Sequence, residues 1–240
     1  MSPKFYLYRA WFVHFYTGST LPLSLLSLIA ITHHQIQWAF ILNGINVLID
    51  SSDGTLARKF EVKKWIPDFD GAKLDDIADF LTYVIVPMFL AYHLKMVPSS
   101  YLWTLGFPVL ASGYGFCQGQ AKTTDGFFTG FPSYWNILVL YFYLLETPPL
   151  FNAWAFLVCS LLVFIPIKFL YPSRARYGKK YLLSLGLLWA CCLGYMLYQM
   201  KETPPLFLYF SLLYPLYYTL YSLLLNRYTP TLPQEETPPS

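Results

Sequence analysis

Apolar runs of about twenty residues follow one another along nearly the whole chain, and that recurrence limits the fold more than any other feature. A bilayer core about 30 Å thick takes roughly 20 helical residues to cross, and lipid offers no partner to exposed backbone groups, so each run must close its own hydrogen bonds as a helix. Charged residues make up only 12% of the 240-residue chain and hydrophobic residues 56%, whereas about a quarter of the residues in a soluble domain are charged. Runs at 11–32, 35–58, 73–92, 101–120, 131–146, 150–170, 181–199 and 206–226 predict an all-α, polytopic membrane helix bundle with about eight transmembrane helices. The connections are short, so residues 1–228 read as one membrane domain. The Pro-rich polar end "TPTLPQEETPPS", 229–240, reads as a disordered tail.

An even number of spans puts both termini on one side. Of the sixteen Lys and Arg residues, fourteen fall on the terminal side and only Lys95 and Lys201 on the other. The positive-inside rule makes the terminal side, with the tail, cytoplasmic. The net charge of +3 is divided among separate loops, which suits anionic headgroups and excludes a nucleic-acid surface. The N-terminal run begins after a positive flank, as a signal peptide does, but "TGST" interrupts it and no small-residue cleavage site follows, so it reads as a retained first span. Cys117, Cys159, Cys191 and Cys192 lie in apolar helices without ligand spacing and read as packing residues.

Against this background the stretch "DSSDGTLARKF", directly after "WAFILNGINVLI", stands out. On a helix Asp50, Asp53, Gly54, Ala57 and Arg58 share one face, and in the next span Gly71, Asp75 and Asp79 form a second single-faced column. Two adjacent antiparallel helices turn these columns toward each other and gather four carboxylates at the cytoplasmic end of the bundle. Each acid costs roughly 2.5–3.5 kcal/mol at mid-bilayer before mutual repulsion is counted. One arginine cannot balance four such charges. Hard oxygen ligands suit Mg²⁺ or Mn²⁺, and two divalent ions beside an arginine make a phosphoryl-transfer arrangement. Gly54 and Ala57 either let a flat group such as a nucleotide approach the helix or pack against a neighbouring helix. Asp76 points off the column, and it reads with Asp68 and Asp70 as solvated.

The pattern D-x₂-D-G-x₂-A-R-x₁₂-G-x₃-D-x₃-D, filled by Asp50, Asp53, Gly54, Ala57, Arg58, Gly71, Asp75 and Asp79, resembles the signature of the CDP-alcohol phosphatidyltransferase family. The spacer of twelve residues is longer than in the commonest version and is similar to that of a bacterial branch using choline. "FVHFYTGS", "PDFDGAKLDDIADFLTYVIVP", "AKTTDGFFTGFPSYWN" and "IPIKFLYPSR" resemble stretches of the same branch, so the likeness runs from about residue 10 to 176. The resemblance implies an enzyme of a bacterial inner membrane that moves the phosphatidyl group of CDP-diacylglycerol to choline, releases CMP, uses two Mn²⁺ or Mg²⁺ ions and works as a homodimer. By matched position, Asp50, Asp53, Asp75 and Asp79 hold the metals, Asp79 is also the general base, and Asp53, Gly54, Ala57, Arg58 and Gly71 contact the CDP moiety.

Choline is a quaternary ammonium and calls for aromatic faces. Tyr83, one turn beyond Asp79, and Trp135, in "PSYWN", are the positions expected to supply them, ahead of Tyr134, Tyr114 and Phe116. Lys122 and Arg174 either meet the lipid phosphate of CDP-diacylglycerol or anchor spans at the headgroup layer. His14 and Ser19 either line the cavity from the first span or are hydrogen-bonded locally. Two other readings remain open: the same chemistry with glycerol phosphate, inositol or serine as acceptor, and a cation-coupled transporter.

Overall fold

The computed structural model describes residues 3–118, 127–170 and 178–228. Among the described residues the helices fall into eight rods, in the order read from the sequence. The first joins α1 (Pro3–Gly18) and α2 (Thr20–Thr32), the second is α3 (Ile36–Lys59), and a single-turn α4 (Val62–Trp65) leads to the third, made of α5 (Gly71–Asp79), a π turn (Phe80–Ile85) and α6 (Val86–His93). The fourth begins as a 3₁₀ segment (Ser99–Leu105) and continues as α7 (Gly106–Cys117). The remaining rods are α8 (Trp135–Leu144), α9 (Pro149–Val163), α10 (Lys179–Gln199), and α11 (Pro205–Ser211) with α12 (Leu213–Tyr228). Three stretches, Pro3–Thr32, Lys179–Glu202 and Pro205–Leu225, are long and apolar enough to cross a membrane. The outer surface carries exposed Phe15, Tyr198 and Leu206, as a bilayer-facing surface does. The chain is a polytopic membrane protein. α8 has 10 residues, a rise of about 15 Å, half the bilayer core.

Proline and small polar residues shape these rods. The first rod is interrupted at Gly18–Ser19, four residues before Pro22, whose ring has no N–H for the Gly18 carbonyl. There the hydroxyls of Ser19 and Thr20 donate back to the carbonyls of Tyr16 and Thr17, at 2.6 and 2.7 Å. Ser19 is thus satisfied on its own helix. α2 and α3 pack closely through Ala30 and Ala39, and Ser27 Oγ donates to the Ala39 carbonyl at 2.9 Å. Small residues permit that approach. Asp70, read as solvated, is exposed but accepts the Lys73 N–H at 3.0 Å and caps α5.

Two corrections concern the second half. The expected helix over 150–170 ends at Val163, because Pro166 cannot continue it; the Leu162 carbonyl instead accepts the Phe131 N–H at 3.0 Å. The chain then forms β2 (Lys168–Leu170), paired antiparallel with β1 (Phe127–Thr129), Phe127 opposite Leu170 and Thr129 opposite Lys168. The bundle is therefore not purely helical. α12 braces this ribbon: Tyr218 Oη donates to the Leu170 carbonyl at 2.7 Å, and Ser222 Oγ accepts the Leu170 N–H at 3.1 Å. The main core lies among α2, α3, α6, α8 and α9, with Ile31, Val84, Val139, Trp135 and Phe156 at its centre. All four cysteines are free.

Candidate metal centre

Both acid columns lie at the same end of the bundle. α3 ends there and α5 begins there, so the hairpin through α4 faces Asp50 toward Asp75 and Asp79. Carboxylate oxygens of these three residues all lie within 4.8 Å of one another, and each residue is half-buried. Asp53, one turn further along α3, is buried and accepts the Thr17 hydroxyl at 2.7 Å. Asp76 lies outside the threesome, as its angular position predicts.

Three carboxylates so close cannot all remain ionised in a half-buried site unless a cation or hydrogen-bond donors compensate them. The donor set is entirely hard oxygen, and it fits a divalent metal ion.

The other candidate positions separate into those facing the site and those packed away from it. Among the described residues, a Cβ placed on Gly54 would touch within 4 Å only the Nη1 of Arg58 at 3.4 Å, so no described helix packs against it there. The exposed Arg58 guanidinium folds back along α3 and donates to Thr55 Oγ1 at 3.1 Å. Gly54 thus keeps a face of α3 open beside the acids. Ala57 differs: it is partly buried and packs against the apolar cluster of Ala10, Val13, Val62 and Ile66. Gly71 differs as well. A Cβ there would come within 2.6 Å of His14 Cε1, so the glycine admits the His14 ring against the start of α5 rather than leaving room for a nucleotide. His14 is buried and tilted against Phe69, with ring centroids 4.4 Å apart.

Tyr83 reaches the site, but through its hydroxyl, which donates to Asp50 Oδ2 at 2.5 Å. Trp135 does not reach it. Its side chain has no exposed surface, its Nε1 donates to Ser112 Oγ at 2.7 Å and its ring packs beside Phe131 and Phe156, so no face is left for choline. Its neighbour Tyr134 instead turns toward α12, its hydroxyl 3.3 Å from that of Tyr218. Tyr114 is tilted against Phe164 and Phe116 lies edge-on to Phe80. Lys122 and Arg174 lie outside the described residues.

The hydroxyl donors Thr17 and Tyr83 on two of the acids were not foreseen, nor was the polar column that runs deeper along α3. Asn43, Asn46, Asp50 and Asp53 are spaced i, i+3, i+7 and i+10, one face of a helix. That spacing is a readable signal inside an otherwise apolar stretch.

Comparison with known proteins agrees with this centre. The family model described as CDP-alcohol phosphatidyltransferase matches residues 15–165, a segment containing every acid of the motif. The chain belongs to the CDP-alcohol phosphatidyltransferase family. Among relatives of this transferase, the phosphatidylcholine synthase of Pseudomonas aeruginosa is 36% identical over 201 residues, 83% of this chain and 84% of the relative. That of Legionella pneumophila is 44% identical over 172 residues, 71% and 68% of the two chains. That of Borreliella burgdorferi is 37% identical over 175 residues, 72% and 75%. The matches therefore reach beyond the family motif into most of the transferase chain.

Proposed function

We propose that this transferase is a phosphatidylcholine synthase, joining choline to the phosphatidyl group of CDP-diacylglycerol and releasing CMP. One observation carries the reading: three of the four acids of an eight-position family motif, Asp50, Asp75 and Asp79, converge to within 4.8 Å in a chain similar over most of its length to phosphatidylcholine synthases. In the reaction the choline oxygen bonds to the β-phosphorus, the phosphoanhydride bond to CMP breaks, and the choline hydroxyl loses its proton.

The residues divide this work. Asp50, Asp53, Asp75 and Asp79 would hold two divalent ions, Mn²⁺ or Mg²⁺. When bound, such ions neutralise charge on the pyrophosphate and make a coordinated hydroxyl more acidic. Asp79 takes the choline proton as general base. Arg58, exposed at the end of α3, meets the anionic nucleotide, and the open face at Gly54 lets the CDP moiety lie against the helix. In this reading the site faces the cytoplasm of a bacterial inner membrane, an orientation that the excess of Lys and Arg on that side supports, and the enzyme works as a homodimer.

The test uses the purified full-length chain with labelled CDP-diacylglycerol, Mn²⁺ or Mg²⁺, and choline, serine, inositol or glycerol phosphate separately. Phosphatidylcholine and an equal amount of CMP should form with choline alone, and chelation should stop both. A lipid product with a different alcohol would reassign the acceptor. Choline movement across vesicles without CMP release would replace the enzyme by a carrier.

A further inference from the structure

The third rod contains a π turn immediately after Asp79, and the sequence explains it. Pro87 has no N–H, and in a regular helix its ring would meet the Tyr83 carbonyl four residues back. The backbone widens instead: the Val86 N–H bonds to the Leu81 carbonyl, five residues back, over Phe80–Ile85. In the α pattern the Thr82 carbonyl would accept from Val86, and in the π pattern from Pro87. The first donor is diverted and the second does not exist. Asn43, on the buried face of α3, supplies the replacement, its Nδ2 donating to the Thr82 carbonyl at 2.8 Å. The Thr82 hydroxyl is 3.2 Å from Ser24 Oγ, which in turn accepts from Asn46 Nδ2 at 2.8 Å. The wide turn is thus fixed on α3 and α2 by buried polar contacts. Tyr83 follows Thr82 directly, and its phenol lands on Asp50 Oδ2.

We infer that Tyr83 is a positioning residue for Asp50, held by the Asn43–Thr82 contact across the π turn, and that it orders this carboxylate for metal binding rather than forming a wall of the choline pocket. A carboxylate has about four lone-pair positions, so a phenol on one oxygen leaves the rest for a cation while fixing the orientation of the group. Hydrogen-bond partners of this kind typically change metal affinity by 10- to 100-fold. The inference rests on the reading of Asp50, Asp75 and Asp79 as metal ligands, so its test must separate the two.

The experiment titrates the full-length protein in lipid nanodiscs with Mn²⁺ alone, following free Mn²⁺ by electron paramagnetic resonance, and then measures turnover against Mn²⁺ and against choline. Tyr83→Phe keeps the ring and removes only the donor. It should bind Mn²⁺ roughly tenfold more weakly and raise the Mn²⁺ needed for half-maximal turnover by the same factor, with choline KM at saturating Mn²⁺ unchanged. Asn43→Ala keeps the phenol but frees the turn that places it, and should weaken Mn²⁺ binding in the same direction. Wild-type Mn²⁺ affinity in Tyr83→Phe overturns the inference, and so does a raised choline KM with unaltered Mn²⁺ binding. A loss in Tyr83→Phe without any in Asn43→Ala overturns the role of the π turn. Asp75→Asn is the separate control: if it binds Mn²⁺ like the wild type, the metal reading itself fails, whatever Tyr83 does.

Discussion

At the scale of single residues, the contact between Gly71 and His14 shows how one motif position acquires a structural duty. The glycine is occupied on its open side by an imidazole 2.6 Å from where a Cβ would stand, so Gly71→Ala forces the start of α5 and α1 apart. Overpacking of this kind costs about 1–3 kcal/mol. The expected result is a lower thermal midpoint, recovered in part by adding His14→Ala, with the coupling read from a double-mutant cycle. Asp79 gives the complementary case, in which chemistry should change and binding should not. Asp79→Asn should keep CDP-diacylglycerol binding, measured by calorimetry, while turnover falls by about 10²-fold or more, the usual contribution of a general base. The acids themselves were legible in the sequence, because carboxylates at helical spacing in an apolar chain have few physical explanations. Ala57, Gly71 and Trp135 were not, because a small or aromatic residue carries no mark of which neighbour fills the space beside it. That neighbour, Val13 or His14 or Phe156, is distant in the chain and is fixed only by packing.

At the scale of elements, the order of the helical rods was readable because an apolar run in lipid must close its backbone hydrogen bonds within itself. The β ribbon was not, since three-residue strands are too short to show a two-residue period, and Lys168–Leu170 continues the apolar character of the helix before it. The π turn lay between: Pro87 was visible, but its effect depends on Asn43 receiving the released carbonyl. This makes Pro87→Ala informative. Alanine restores an N–H and removes the ring, so the third rod should relax toward a regular α-helix, which proline in a helix interior disfavours by about 3 kcal/mol. Tyr83 should then shift relative to Asp50. The expected outcome is a thermal midpoint no lower than that of the wild type together with roughly tenfold weaker Mn²⁺ binding. A variant that is both less stable and unchanged in Mn²⁺ affinity would show that the π turn serves packing alone.

At the scale of the whole molecule, the acids gather where helices from the first three rods meet: α1 sends Thr17 to Asp53, α3 carries Asp50, and α5 carries Asp75 and Asp79. Without a cation, carboxylate repulsion works against that junction; with one, the same residues hold it closed. The effect of removing one of these charges on stability should therefore reverse sign when metal is added. In chelator, Asp75→Asn removes one charge from the cluster and should melt at or above the wild-type temperature. In saturating Mn²⁺ the order should invert, because the wild type gains binding energy that the variant lacks, about 2.7 kcal/mol at a hundredfold excess over Kd. The measurement is a pair of thermal unfolding curves for each protein in the same nanodiscs, with and without Mn²⁺. Curves that shift equally in both proteins would place the ion elsewhere on the molecule. The inversion itself requires only that the three oxygens within 4.8 Å share a cation, and it is independent of whether choline or CDP-diacylglycerol is ever bound.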